Sequence, residues 1–189
     1  MKTAIALQTL SVLALLTSCS DSEPVDLGTL ETEARSLTQS FVGTLLPTLQ
    51  GALAAGGPTE AINVCSERAP EIAAQLSANS GWSVRRVSLK PRNADLAVPD
   101  AWERATLAEF DRRQQSGEAG GAINASAVVD GEYRYMQAQP TMPMCLTCHG
   151  EDLDPAVRSA LAEHYPDDLA TGYSAGQIRG AISLRTNLP

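Results

Sequence analysis

Residues 144–150 read Met-Cys-Leu-Thr-Cys-His-Gly, and no other stretch restricts the chain as much. Cys145 and Cys148 are two of four cysteines in 189 residues, and His149 is one of two histidines. Two cysteines at this spacing reach the two vinyl groups of a haem, and the adjacent histidine turns its ring under the iron. The pattern Cys-x-x-Cys-His therefore predicts haem c: one covalent haem, with thioethers to Cys145 and Cys148 and His149 on one side of the iron. Three alternatives compete. A thioredoxin-like pair wants a low-pKa thiol at a helix N-terminus after a βαβ strand, whereas this pair follows Pro140 and Pro143, and the next helix is expected from Pro155. A zinc site would need His149 or His164 and a further ligand such as Cys65. The third is a plain disulfide.

The N-terminus favours the haem, because c-type attachment takes place outside the cytoplasm. Residues 1–20 carry Lys2, an apolar run from Ala4 to Leu16, and then Leu16-Thr17-Ser18-Cys19. This is the pattern of a secretory signal, and its end resembles a bacterial lipobox, with Cys19 as the lipidated residue. The expected organisation is a signal peptide over 1–18, a polar tether over 19–29 and one domain over 30–189. Two or more acyl chains on Cys19 would hold the protein on the periplasmic side of a membrane. Ser20, rather than Asp, after the lipidated cysteine favours the outer membrane by resemblance to enteric sorting. With Cys19 acylated, Cys65 is left without a partner, and a bare exported thiol is a liability.

The formal net charge of −8 argues against nucleic acid, which wants a basic face. Past residue 20 no apolar run is long enough to span a bilayer. With two Phe, two Trp and four Tyr, the core is expected to rest on Ala, Leu, Val and Ile, with the macrocycle filling the remainder.

Residues 30–55 carry a helical stripe of Leu30, Ala34, Leu37, Phe41, Leu45 and Leu49, which Pro47 is expected to kink or interrupt. After the Gly56-Gly57-Pro58 break, Thr59 is a candidate cap for a second helix over 60–78. Its stripe is Ile62, Cys65, Ala69, Ile72 and Leu76. A strand follows over 82–89. Asp100 and Glu103 form a capping box for a helix over 101–116. Asp130-Gly131 joins two strands within 125–138. The pentad lies in an extended, proline-punctuated connection, followed by a helix over 155–165 and a last strand over 176–186. That order predicts an α+β domain with a small antiparallel sheet.

The second axial ligand is open among Cys65, His164, Met136, Met142 and Met144. Arg85, Arg86, Lys90 and Arg92 are candidates to pair with haem propionates, since buried carboxylates need a cationic partner. Tyr133 and Tyr135 share one strand face and are candidates for the pocket wall.

The stretches AINVCSERAPEIA (61–73), RRVSLKPRN (85–93), CLTCHG (145–150) and YPDDLATGYSAGQIRGAISL (165–184) occur in this order. Together they resemble the cyanobacterial-type family of PAS-like c-haem sensor domains, over about residues 30–187. The resemblance implies a PAS-like fold with a five-stranded antiparallel sheet flanked by helices. It implies haem attached at Cys145 and Cys148, with His149 and Cys65 as axial ligands of the iron. It implies a redox or gas sensor with a redox or signalling partner that the sequence does not identify. A thiolate lowers the iron potential, and its loss on reduction would open a site for a diatomic gas. A periplasmic electron carrier is the alternative. A peroxidase-like enzyme would need an open iron site and a distal acid–base group, for which only His164 offers itself. Some members precede kinase or chemotaxis domains, and no such output domain is expected after Pro189.

Overall fold

The computed structural model of the chain describes residues 25–188. The expected signal peptide, Cys19 and residues 20–24 of the tether lie outside the described residues. Helix α1 (Leu27–Ser80) begins inside the expected tether, where Asp26 Oδ1 accepts from the Gly28 amide at 3.0 Å. It is broken at Gly57, whose φ of 73° and ψ of −164° are non-helical. Only glycine adopts that φ without strain. The chain doubles back there. Trp82 Nε1 donates to Glu33 at 3.2 Å, and Phe41 and Ile72 meet in one buried cluster.

The arms 27–56 and 58–80 correspond to the two expected helices. The second starts at Pro58 rather than at a Thr59 cap, because proline in the first helical position sacrifices no intrahelical bond. Pro47 does not interrupt the first arm. It removes one N–H, and neighbouring Phe41 and Leu45 keep the arm packed against the sheet.

Four strands form the sheet among the described residues: β1 (Ser83–Val87), β2 (Asn124–Val129), β3 (Glu132–Pro140) and β4 (Ile178–Asn187). Their order is β1-β4-β3-β2, antiparallel throughout. The Asp130-Gly131 turn has φ of 52° and 80°, the double positive φ of a type I′ hairpin. The fifth strand implied by the resemblance is not present among the described residues. The stretch after β1 bonds within itself instead, Ser88 N to Ala97 O and Ala97 N to Asn93 O, both at 3.0 Å. Pro91 within it has no amide to continue a ladder.

Alternation gives the sheet two covered faces. Val84, Tyr133, Tyr135, Ile182 and Leu184 face α1, and Val87, Met136, Ala138 and Ala181 pack with Leu107 and Phe110 of α2 (Ala101–Gln115). Aromatics carry more of this core than the composition suggests, because both Phe, Trp82 and two of the four Tyr are buried. Burying each of these rings contributes about 2 kcal/mol or more.

Helix α2 is pinned by its own cap. Asp100 Oδ1 accepts from Glu103 N at 2.9 Å, and Glu103 Oε2 accepts from Asp100 N at 2.8 Å. Glu103 is 1 % exposed, and its Oε1 also accepts from Ser183 Oγ of β4 at 2.7 Å. Among the described residues no helix is long and apolar enough to cross a membrane.

Candidate functional site

A cavity of about 610 Å³ lies between α1 and the end of the sheet formed by β1 and β4, within the range of small-molecule and cofactor sites. Leu45, Leu49 and Leu53 of the first arm and Ile62, Cys65 and Ala69 of the second supply an apolar wall. Basic side chains from β1, β4 and the segment after β1, together with the pentad, supply the polar part of the lining.

The pentad is not extended, as the sequence reading expected. A 3₁₀ turn (Pro143–Cys145) runs into a one-turn helix, α3 (Leu146–His149). The turn is closed by Cys145 N on Met142 O and by Gly150 N on Leu146 O, both at 2.9 Å. A helical turn sets residues i, i+3 and i+4 on one face, and Cys145, Cys148 and His149 all line the cavity. A Cβ on Gly150 would lie 2.6 Å from Leu146 O, so this close approach requires glycine. Helix α4 (Pro155–His164) backs the pentad, with Val157, Ala160 and Leu161 packed on Ile62 and Cys148.

His149 Nδ1 lies 2.7 Å from the Ala170 carbonyl oxygen. A carbonyl only accepts, so Nδ1 carries the proton and Nε2 keeps its lone pair. Arg92 Nη1 is 3.4 Å from that Nε2. The segment around Ala170 is laced to the pentad. Tyr173 N donates to His149 O and Gly172 N to Gly150 O, both at 2.9 Å, and Asp168 Oδ1 accepts from Ala170 N at 2.7 Å. Arg92 ties the two together through Asp168 at 3.1 Å, Ala170 O at 3.2 Å and the Cys148 carbonyl. Burial, then Arg179 and Arg92, hold the His149 ring well below the usual histidine range, so it stays neutral. A neutral imidazole is the form that ligates a metal.

Cys65 is half-buried on the same cavity wall. Burial pushes its thiol up, and Arg86, Arg179 and Arg92 pull the other way. The competing ligands are placed differently. Met136 is buried on the α2 side of the sheet, Met142 is 39 % exposed, and His164 is exposed at the end of α4. Met144 does line the cavity. Tyr133 and Tyr135 do not, and pack instead against α1 because their strand face lies under its arms.

The four basic candidates divide as well. Arg85 reaches the Val98 carbonyl and Glu103, Lys90 reaches the Thr171 carbonyl, and Arg92 pairs with Asp168. All four line the cavity, but among the described residues Arg86 has no such partner, and neither does Arg179, a fifth basic residue on the wall that the sequence reading did not single out. The residues present fit a flat apolar group with acidic arms: an apolar slot, two unpaired thiols on one helical turn, an imidazole with Nε2 available and basic side chains on the wall. These cysteines and the histidine share a cavity, but among the described residues no three His, Cys, Asp or Glu side chains stand close enough to hold one metal ion, as a zinc site would require.

Residues 12–187 match the profile of the Tll0287-like family. The chain is also similar to a solved structure, the crystal structure of the cyanobacterial heme-protein Tll0287. That likeness has a TM-score of 0.61 and 26 % identity, and covers 86 % of this chain and 94 % of that one. No curated protein matches the chain.

Proposed function

The chain belongs to the Tll0287-like family, and from that premise we propose an exported, lipid-anchored monohaem c-type protein that senses redox state or a diatomic gas. The observation that carries the reading is the convergence of Cys65, Cys145, Cys148 and His149 on one cavity. Support comes also from the match to a protein described as a heme-protein. The two-faced antiparallel sheet with flanking helices suits a PAS-like fold.

When bound, the haem supplies reversible one-electron iron chemistry and a site for diatomic ligands. The chain's own residues do the rest. Cys145 and Cys148 would hold the haem through thioethers to its two vinyl groups. His149 presents Nε2, oriented by the Ala170 carbonyl. Cys65 presents Sγ from α1 and lowers the potential as a thiolate. Release of that thiolate bond, with the Sγ protonated from solvent, would make Cys65 the switch.

Absorption spectra of the purified holoprotein, ferric and ferrous, test this. The reading expects a thiolate-ligated ferric spectrum that Cys65→Ala abolishes while covalent haem is retained, and a ligand change on reduction in the wild type. An unchanged ferric spectrum in Cys65→Ala contradicts the Cys65 role. Reversible cycling with no ligand change makes the protein an electron carrier.

A further inference from the structure

Resting on the haem reading above, we propose that Arg86 and Arg179 together form the seat of both haem propionates, and that the other basic side chains on the cavity wall do not. Arg85, Lys90 and Arg92 already have acceptors in the protein: Glu103, the Thr171 carbonyl and Asp168. Arg86 and Arg179 form no ion pair among the described residues.

Both are half-buried, and the groups that bear on them make the pair unfavourable as it stands. Arg86 faces Arg92, the thiols of Cys65 and Cys145 and the phenol of Tyr165, and Arg179 faces Arg86, Arg92, Cys145 and Tyr173. Neither set contains a carboxylate. Arg179 Nε is buried with no acceptor. Burial, then repulsion from Arg86, pushes the Arg179 guanidinium down to about 10. Charges removed from water are unfavourable unless paired and hydrogen-bonded.

The spacing suits two carboxylates. Arg86 stands opposite Ile182 in the β1–β4 register, and Arg179 lies further along β4 on the adjacent strand. One strand across and three residues along, their Cα atoms lie on the order of 10 Å apart, a span that two long arginine stems can close toward one cavity. Between the two, Gly180 leaves the wall without a side chain, since a Cβ there would lie 2.5 Å from Val87 O. Two guanidinium forks therefore face one slot, and a guanidinium binds a carboxylate through two parallel hydrogen bonds. Two positive charges match the two negative charges of the propionates.

The full-length holoprotein tests the seat, with resonance Raman of the propionate bending modes and the midpoint potential as readouts. R86Q and R179Q should each keep covalent haem by peroxidase stain. Each should shift the propionate modes and lower the potential, because a nearby positive charge disfavours the ferric state. R86K and R179K should restore both in part, and K90Q should leave the propionate modes unmoved. If R179Q does not accumulate, R86Q and R179K carry the test. An intact haem with unmoved modes and potential in R86Q and R179Q overturns the seat alone, as does a shift confined to K90Q. A wild-type protein with no haem overturns the haem reading, and the seat with it.

Discussion

His149 Nδ1 donates to the Ala170 carbonyl oxygen across 2.7 Å, so a backbone atom 21 residues downstream decides which ring nitrogen is left for a metal. That carbonyl depends on Asp168, which accepts from Ala170 N at 2.7 Å and pairs with Arg92 at 3.1 Å. Asp168→Ala removes both contacts and leaves the Arg92 guanidinium, 16 % exposed, short of its anion. The expected result is a loss of about 1–3 kcal/mol in unfolding free energy. Loss of such outer contacts weakens a metal–histidine bond by roughly tenfold or more, seen as a rise in ferric protein lacking the His149 bond. Denaturant titration and ferric spectra check both.

Glu103 is the second buried charge that organises the fold. It closes the α2 capping box, accepts from Ser183 at 2.7 Å and lies 3.5 Å from the Arg134 guanidinium. Glu103→Ala strips all three, removes the Arg85 pair at 3.4 Å as well, and leaves Arg134, 7 % exposed, with Asp100 as its carboxylate. A loss of about 3–5 kcal/mol is expected, measured by chemical unfolding. Glu103→Gln keeps an acceptor for Ser183 and should lose less. Covalent haem should persist in whatever fraction folds, because Glu103 lies on the α2 side of the sheet.

Much of this architecture was legible from local signals. Asp130-Gly131 announced its hairpin, and Asp100 with Glu103 announced the start of α2, since both are backbone rules written in side-chain types. The Gly56-Gly57-Pro58 break marked the reversal in α1. The pentad and Cys65, the thiol left over, line one cavity.

What was not legible depends on distant pairing. The sequence pattern itself marked four strands; the fifth came only from the resemblance and is not present among the described residues. The helical turn at Cys145–His149 is short and is closed by Gly150, so periodicity does not reveal it. The Ala170 cradle works through a backbone carbonyl that every residue possesses. Arg179 sits in an apolar strand, and nothing in its neighbours says that it faces a cavity.

Lipid anchoring is tested at Cys19, which lies outside the described residues. Cys19→Ala should move the protein from the membrane to the soluble fraction on cell fractionation, since the acyl chains are the proposed hold on the bilayer. Unchanged fractionation of the variant contradicts the anchor.

The central claim is a covalent haem at the Cys-x-x-Cys-His turn, and peroxidase staining of a denaturing gel tests it most directly. Denaturation releases any haem held only by ligation and leaves one held by thioethers. The wild type should stain at the mass of the chain, and the Cys145→Ala/Cys148→Ala double variant should show protein without stain. An unstained wild type, or a double variant that stains as strongly, contradicts the account.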